Sequence, residues 1–408
     1  MRASSSARAS ASSSARASAS AARRCGRDAR SCSCSVARAS RAFASASDDV
    51  VTSDDFDASR RVAFEARARA MRAKALKGLL ARAGARYDDC LEKEELVQRI
   101  ADIWLASENR SITTPLRQLG SVGGNPRAGY AMVTLDVGGD IGLCDFVIDT
   151  GATTALITPK ALSMLDKENV AEGAAVRGLT GTGETIRQKV SVSDVRLGSK
   201  VFVLDAVVTD LSAVGMPPQI GGLLGLDWLS QFEVEFDFVR SALKFWPRGS
   251  IAGGAVDVEN LIKVPMKTHS VGIRTVRCAL NDAEPLDAIV DMGSFFSVVN
   301  WMASAAAGVG PDSDKVKRGG LQVTGVDGGS MQMAVAPFDL RVIGDGEDLT
   351  STYKGMCCVG DLPAFSALGA SVSPFMALGL DVIGRGRMVF NAGENVMYLA
   401  SGEETYGI

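Results

Sequence analysis

The sequence repeats itself around two aspartates. Phe146-Val147-Ile148-Asp149-Thr150-Gly151-Ala152-Thr153 is matched downstream by Ala288-Ile289-Val290-Asp291-Met292-Gly293-Ser294-Phe295. In each copy an apolar run enters Asp-x-Gly, and a second apolar patch follows, Ala155-Leu156-Ile157 or Val298-Val299. A further pair is Leu223-Leu224-Gly225-Leu226-Asp227 with Ala377-Leu378-Gly379-Leu380-Asp381, each leading into two strand-like runs: Val234–Phe238 with Leu243–Trp246, and Met388–Phe390 with Val396–Leu399. The first pair is offset by 142 residues and the second by 154. A repeat this long demands two similar halves, each carrying one aspartate-bearing turn. From Tyr130 onward the texture is short β-branched runs punctuated by glycine, an all-β signal.

Composition narrows the chemistry. The single histidine, His269, leaves one candidate base for any Ser-His-Asp or Cys-His arrangement, and a His-rich zinc site cannot be built. No apolar run approaches the ~18–20 residues of a membrane-spanning helix. Residues 1–47 hold 15 Ala, 15 Ser and 9 Arg, with Asp28 as the only acid. That stretch is expected to be disordered, and its Arg- and Ser-rich, acid-poor character is that of an organellar transit peptide. The serine content and the lack of an amphipathic Arg helix favour the chloroplast over the mitochondrion. A basic arm for nucleic acid or an acidic partner is the alternative.

Without this arm, whose net charge is +8, the chain's −3 becomes −11, which argues against a nucleic-acid surface elsewhere. Five cysteines then remain (Cys90, Cys144, Cys278, Cys357 and Cys358), an odd and scattered set that makes a poor disulfide framework.

Residues 59–107 lack proline and are rich in Ala, Arg, Leu and Glu, which predicts helix. Leu76, Leu79 and Leu80, and Leu96, Val97 and Ile100, recur at helical spacing. Gly84 is expected to stop the first helix, with Tyr87–Cys90 as the connection and Glu92-Lys93-Glu94-Glu95 as an acidic first turn for the next. The pattern Leu76-Lys77, Leu80, Gly84, Cys90–Lys93, Glu95–Val97, Arg99-Ile100 resembles a SAP-like helix-loop-helix. Such modules bind DNA or protein partners. Residues 73–104 are therefore a candidate partner-binding surface, with a helical hairpin packed on the main domain as the alternative. Residues 108–128, with Pro115, Gly120, Gly123, Gly124 and Pro126, read as a linker.

On the repeated residues, the region 129–400 resembles a two-lobed, pepsin-type aspartic protease whose first lobe is similar to the retroviral (retropepsin) form. Asp149-Thr150-Gly151-Ala152 fits that form fully, and Leu223-Leu224-Gly225 fits the segment that passes beneath the turn. The resemblance implies a mainly β, bilobal acid-protease β-barrel fold with a small N-terminal α-helical module, lobe 1 over 129–250 and lobe 2 over 251–408. It implies no cofactor and no metal. The partner it implies is a protein or peptide substrate, laid as a strand between the lobes.

Asp149 and Asp291 are then the catalytic pair. Two carboxylates held on the order of 3 Å apart cannot both ionise easily, so one serves as base and the other as acid. Gly151 and Gly293 let each turn approach the lobe interface without a Cβ clash. By the resemblance, Thr150 hydrogen-bonds across to the other lobe; Met292, in the matching place, cannot. Ser294 is expected to donate its hydroxyl to Asp291. Ala152 offers no such donor to Asp149, so the pair's pKa values are expected to stay high and activity to lie at weakly acidic to neutral pH. The Gly-rich segment 177–185, with Gly181, Thr182 and Gly183 at its tip, reads as a flap that closes over substrate.

Three other readings remain open at this point. One is a peptide-binding pseudoprotease, and another is a homodimer that uses Asp149 alone. The third gives the helical module the main role. A propeptide role for residues 48–128 is also open.

Overall fold

The computed structural model describes residues 53–119, 129–180, 183–212, 216–324, 330–346, 350–400 and 403–405. The arm over 1–47 lies outside them.

Three helices come first: α1 (Ser53–Ala70), α2 (Ala73–Arg82) and α3 (Lys93–Asn109). The stretch before Gly84, expected as one helix, is two. Gly84 does sit past the end of α2 at a φ of +67°, where the N–H of Ala85 reaches back to the Leu80 carbonyl. At the start of α3, Glu92 and Glu95 form a reciprocal capping box.

Leu76, Leu80, Leu96, Val97, Ile100 and Trp104 are fully or almost fully buried, and their core is completed by Trp246, Ile251, Val256 and Val389 from the β region. Trp104 Nε1 donates to the Gly253 carbonyl at 2.7 Å, and the Ser107 and Ser250 hydroxyls meet at 2.6 Å. Lys244 pairs with Glu108 at 2.7 Å in a half-buried site. Most of the apolar side of residues 73–104, read from sequence as a candidate partner surface, is thus occupied by the chain's own β region, while Leu91 stays exposed among the outward polar residues.

Of the linker expected over 108–128, residues 120–128 lie outside the described residues, and the part before them is not loop. Ile112–Pro115 forms strand β1 and Arg117–Leu119 forms β2, with Ile112 and Leu116 buried. Pro115 misled because proline usually breaks a sheet. Here it sits on an edge strand, where a missing N–H removes no ladder bond.

The remaining strands follow in two parallel series. The first is β3 (Tyr130–Asp136), β4 (Leu143–Ile148), β5 (Ala155–Ile157), β6 (Val170–Thr180), β7 (Gly183–Leu197), β8 (Lys200–Val208), β9 (Ile220–Leu224), β10 (Phe232–Asp237) and β11 (Ala242–Pro247). Then come β12 (Leu261–Pro265), β13 (Lys267–Thr268), β14 (Arg274–Leu280), β15 (Leu286–Val290), β16 (Val298–Val299), β17 (Lys317–Thr324), β18 (Ser330–Ile343), β19 (Thr350–Val359), β20 (Phe375–Leu378), β21 (Arg387–Asn391), β22 (Val396–Ala400) and β23 (Glu403–Thr405).

Short helices punctuate them: α4 (Pro159–Ser163), α5 (Leu226–Leu229), α6 (Trp301–Ala306), α7 (Pro363–Ala367) and α8 (Leu380–Ile383). No helix among the described residues is long and apolar enough to cross a membrane.

Lobe 1 is a sheet in the order β2-β3-β4-β9-β5-β8-β7-β6, and lobe 2 runs β13-β14-β15-β20-β16-β19-β18-β17, with β23 added beside β19. The two orders correspond strand for strand. A third sheet, β1-β11-β10-β21-β22-β12, draws its strands from both halves of the sequence. Its centre is the antiparallel pair β10–β21, with Val234 opposite Phe390 and Phe236 opposite Met388. The strand pairs that follow each Gly-Leu-Asp are therefore what joins the two halves. Glu233 fixes the join: buried, it accepts from the Gly249 and Ile251 N–H groups and from Asn391 across the seam.

Candidate active site

In each lobe the strand that leads into the aspartate pairs in parallel with the strand that carries the Gly-Leu-Asp segment, β4 with β9 and β15 with β20. The last bond of each ladder is made by the aspartate's own N–H, from Asp149 to the Leu224 carbonyl at 3.0 Å and from Asp291 to Leu378 at 2.9 Å. Both aspartates are thus clamped at strand ends, where the chain turns away and the side chain is free to leave the sheet.

The turns interlock through their glycines. A Cβ on Gly151 would lie 2.6 Å from Oδ1 of Asp291, and one on Gly293 would lie 2.3 Å from Cγ of Asp149. Each lobe's glycine leaves the space that the other lobe's carboxylate fills. Thr150, fully buried, crosses the interface as well: its hydroxyl donates to the Val290 carbonyl at 2.7 Å and accepts from the Met292 N–H at 3.0 Å. Met292 is also fully buried but brings only a thioether, so no side chain returns the bond.

The two carboxyls face one another across the interface: the point a Gly151 Cβ would occupy lies 2.6 Å from Oδ1 of Asp291 and 3.2 Å from Oδ1 of Asp149. Each keeps an edge towards solvent, yet protein surrounds the rest, and loss of hydration drives both pKa values up. Asp149 is pushed to about 6, held back by the Gly151 and Ala152 N–H groups, which donate to Oδ1 at 2.8 and 3.1 Å. Asp291 is pushed to about 8, by burial first and then by the charge of Asp149, with the Gly293 N–H at 3.0 Å as its clearest donor. The better-donated carboxylate ionises first.

Ser294 departs from expectation. Its hydroxyl donates to the Phe296 carbonyl at 2.8 Å and does not serve Asp291. A neighbouring carbonyl two residues on captures it, closing a local turn.

Gly181 and Thr182 of the expected flap lie outside the described residues. Gly183 opens β7, which pairs with β6 as far as Thr180 opposite Gly183.

Two features were not legible as site elements. Asp227 and Asp381, seen in sequence only as part of a repeat, each bind the strand that leaves the aspartate turn. Asp227 accepts from the Ala155 N–H at 3.0 Å, and Asp381 accepts from the Ser297 N–H and hydroxyl at 2.9 and 2.7 Å. Burial raises the pKa of Asp227, and pushes Asp381 to about 6. Their matched place in the repeat was the available signal. Tyr130 is the other: the β3–β4 register, with Met132 opposite Val147, continues to set it across from Asp149, and burial, then the charges of Asp291 and Asp149, raise its phenol's pKa. No motif announces it, because its place follows from the register of β3 against β4.

Residues 133–228 match the family model of the aspartyl proteases. The match begins in β3, includes the Asp149 turn and ends within α5, so it covers most of lobe 1. It supports a protease of the aspartic, retropepsin type. Among curated proteins, none matches this chain.

Proposed function

We propose that the protein is an aspartic endopeptidase in which Asp149 and Asp291 of one chain act together on a water molecule. The observation that carries this reading is the mutual seating of the two carboxyls, each against the other lobe's glycine. Asp149, with two backbone donors, is the ionised base; Asp291 keeps the proton and is the acid.

Asp149 takes a proton from water as its oxygen attacks the peptide carbonyl carbon, and Asp291 gives its proton to the carbonyl oxygen. The tetrahedral diol collapses when Asp149 passes its proton to the amide nitrogen and the C–N bond breaks. Asp291 regains a proton from the diol, and the pair is reset. The substrate lies as an extended strand between the lobes, with β6 and β7 as the covering hairpin. The arm over 1–47 directs the chain to the chloroplast.

The test is cleavage of a diverse peptide mixture from pH 3 to 8 by a chain starting near Asp48. Asp149→Asn and Asp291→Asn variants run alongside. Loss in both variants is expected. Loss in Asp149→Asn alone would point to a homodimeric site. No cleavage at any pH would leave a peptide-binding pseudoprotease, the reading that the unreturned Thr150 bond at Met292 favours.

A further inference from the structure

Lobe 2 carries a pocket of about 500 Å³ that the catalytic pair does not use. That is the size of a site for a small ligand or for a side chain and its neighbours. Its floor is one face of β14 and β15, where Thr275 stands opposite Ile289 and Arg277 opposite Asp287. Ala303 and Ala306 of α6 form one wall, and Leu368, Ala370 and Phe375, between α7 and the start of β20, form the other.

This floor leads to the candidate active site. β15 runs from Asp287 in the pocket through Ile289 to Asp291, four residues or about 13 Å of extended chain. Ile273 and Ile289 share an apolar cluster with the pocket's Phe375 and Ala370. The turn before β14 touches the other lobe's active-site segment, since a Cβ on Gly272 would lie 3.3 Å from the Thr153 methyl. A peptide extended from the scissile bond therefore reaches the pocket within a few residues.

The charges lining it do not balance. Arg277 is engaged on both sides, donating to Asp287 Oδ1 at 3.1 Å and to the Pro285 carbonyl. Glu284, exposed at the rim, has no partner among the described residues. Lys267, opposite Thr275 on the edge strand, does not line the pocket. His269, the remaining titratable side chain of the lining, has its Nδ1 3.4 Å from the Ser270 hydroxyl and the Val271 N–H. The interior thus offers an apolar wall of Leu368 and Phe375 with the Glu284 carboxylate at its edge. That combination suits the methylene stem and cationic head of a lysine or arginine.

We propose that this pocket is an accessory subsite in which Glu284 receives a basic side chain of the substrate, about four residues from the scissile bond on the lobe 2 side. The inference rests on the peptide-cleaving reading above and adds the substrate class to it: extended segments bearing Lys or Arg at that distance.

The experiment uses the chain starting near Asp48 and matched ten-residue peptides with Lys, Ala or Glu at each position in turn. Cleavage of the Lys and Glu peptides is compared with that of the Ala peptide within each variant. In the unsubstituted chain, Lys at one distal position raises kcat/KM about fivefold through KM, the scale of one partly exposed ion pair. Glu284→Lys inverts that ratio in favour of Glu. Ala306→Trp, which fills the pocket from an exposed helix position, brings both ratios to about one.

Cleavage with no distal preference, or ratios indifferent to both substitutions, overturns the subsite and leaves the protease reading standing. Binding of the same peptides to the Asp291→Asn chain, read by fluorescence polarisation, separates the other case. A Lys preference that inverts with Glu284→Lys supports the subsite even where nothing is cut, and absence of peptide binding overturns both.

Discussion

Lobe 1 and lobe 2 share one strand order but not one turn chemistry. In lobe 1 the turn supplies Thr150, which reaches across to Val290 and Met292, and two N–H donors to its own carboxylate. In lobe 2 the same positions hold Met292, whose side chain returns no bond, and Ser294, whose hydroxyl is spent on Phe296. The outer faces differ as well. Lobe 2 carries Phe365 of α7 in a buried cluster with Ile273 and Ile289, whereas the smaller matching cluster of lobe 1, around Met132 and Val147, leaves Tyr130 only half-buried. The architecture is held by strand pairing, which tolerates side-chain drift. The proposed division of labour between the two carboxyls rests on the hydrogen bonds and charge around each, which do not. Under the proposed mechanism, an imperfect repeat would thereby give two identical residues different roles.

The sharpest way to break this comparison is to neutralise each aspartate separately. Asp149→Asn and Asp291→Asn are each expected to lower kcat by about 10²–10⁴-fold or more, the range of a lost general acid or base. Steady-state kinetics on one cleaved peptide decides it. An Asp291→Asn variant with full activity would show that lobe 2 is scaffold.

Trp104→Ala asks whether the two lobes need the helical module that packs on their joining sheet. Trp104 is fully buried and bonded to Gly253, so its removal is expected to cost about 3–5 kcal/mol. Urea denaturation measures the loss. A change below about 1 kcal/mol would make the module a passenger and revive its reading as a removable propeptide.

Thr150→Val removes the side-chain hydroxyl that braces one turn against the other. It leaves the Val290 carbonyl and the Met292 N–H unpaired in a buried place, at a cost of about 1–3 kcal/mol. The same denaturation experiment reads it. Unchanged stability would mean that glycine interlocking alone holds the turns.

The smallest effect is the pH dependence of the pair itself. Below the unfolded carboxyl value near 4, folded and unfolded chains are both protonated and the site carries no penalty. As pH rises, the unfolded chain releases its protons while the folded chain holds them until about 6 and about 8. Stability from this source is therefore present at pH 4 and lost by pH 8. Asp291→Asn escapes part of that loss: its Tm is expected to equal that of the parent at pH 4 and to exceed it by on the order of a few degrees at pH 8. Differential scanning calorimetry at the two pH values suffices. The singly protonated pair exists between the same two values, so activity is expected to peak between about pH 6 and pH 8. An optimum below about 3.5 would contradict the donor-count argument.

The repeat makes much of this molecule legible in its residues alone. Apolar runs ending in Asp-x-Gly, the matched Gly-Leu-Asp segments and the strand pairs after them are local patterns, and backbone geometry makes each a strand, a turn or a short helix largely from its own residues. The same holds for α2 and α3, whose leucines recur on one face and whose ends carry Gly84 and the Glu92–Glu95 box. Pairing decided the rest. Residues 112–119 look like linker until β11 and β3 give them partners. Ser294 has a carboxylate and a carbonyl within its local choice, and turn geometry, not residue type, selects the carbonyl. Tyr130 and Glu284 gain meaning only from register, which brings one beside the aspartates and sets the other at the rim of a pocket. By itself the sequence determined which residues turn and which extend. Contacts between residues more than a hundred positions apart, Thr150 with Val290 or Trp104 with Gly253, required the tertiary structure, because no local preference encodes a distant partner.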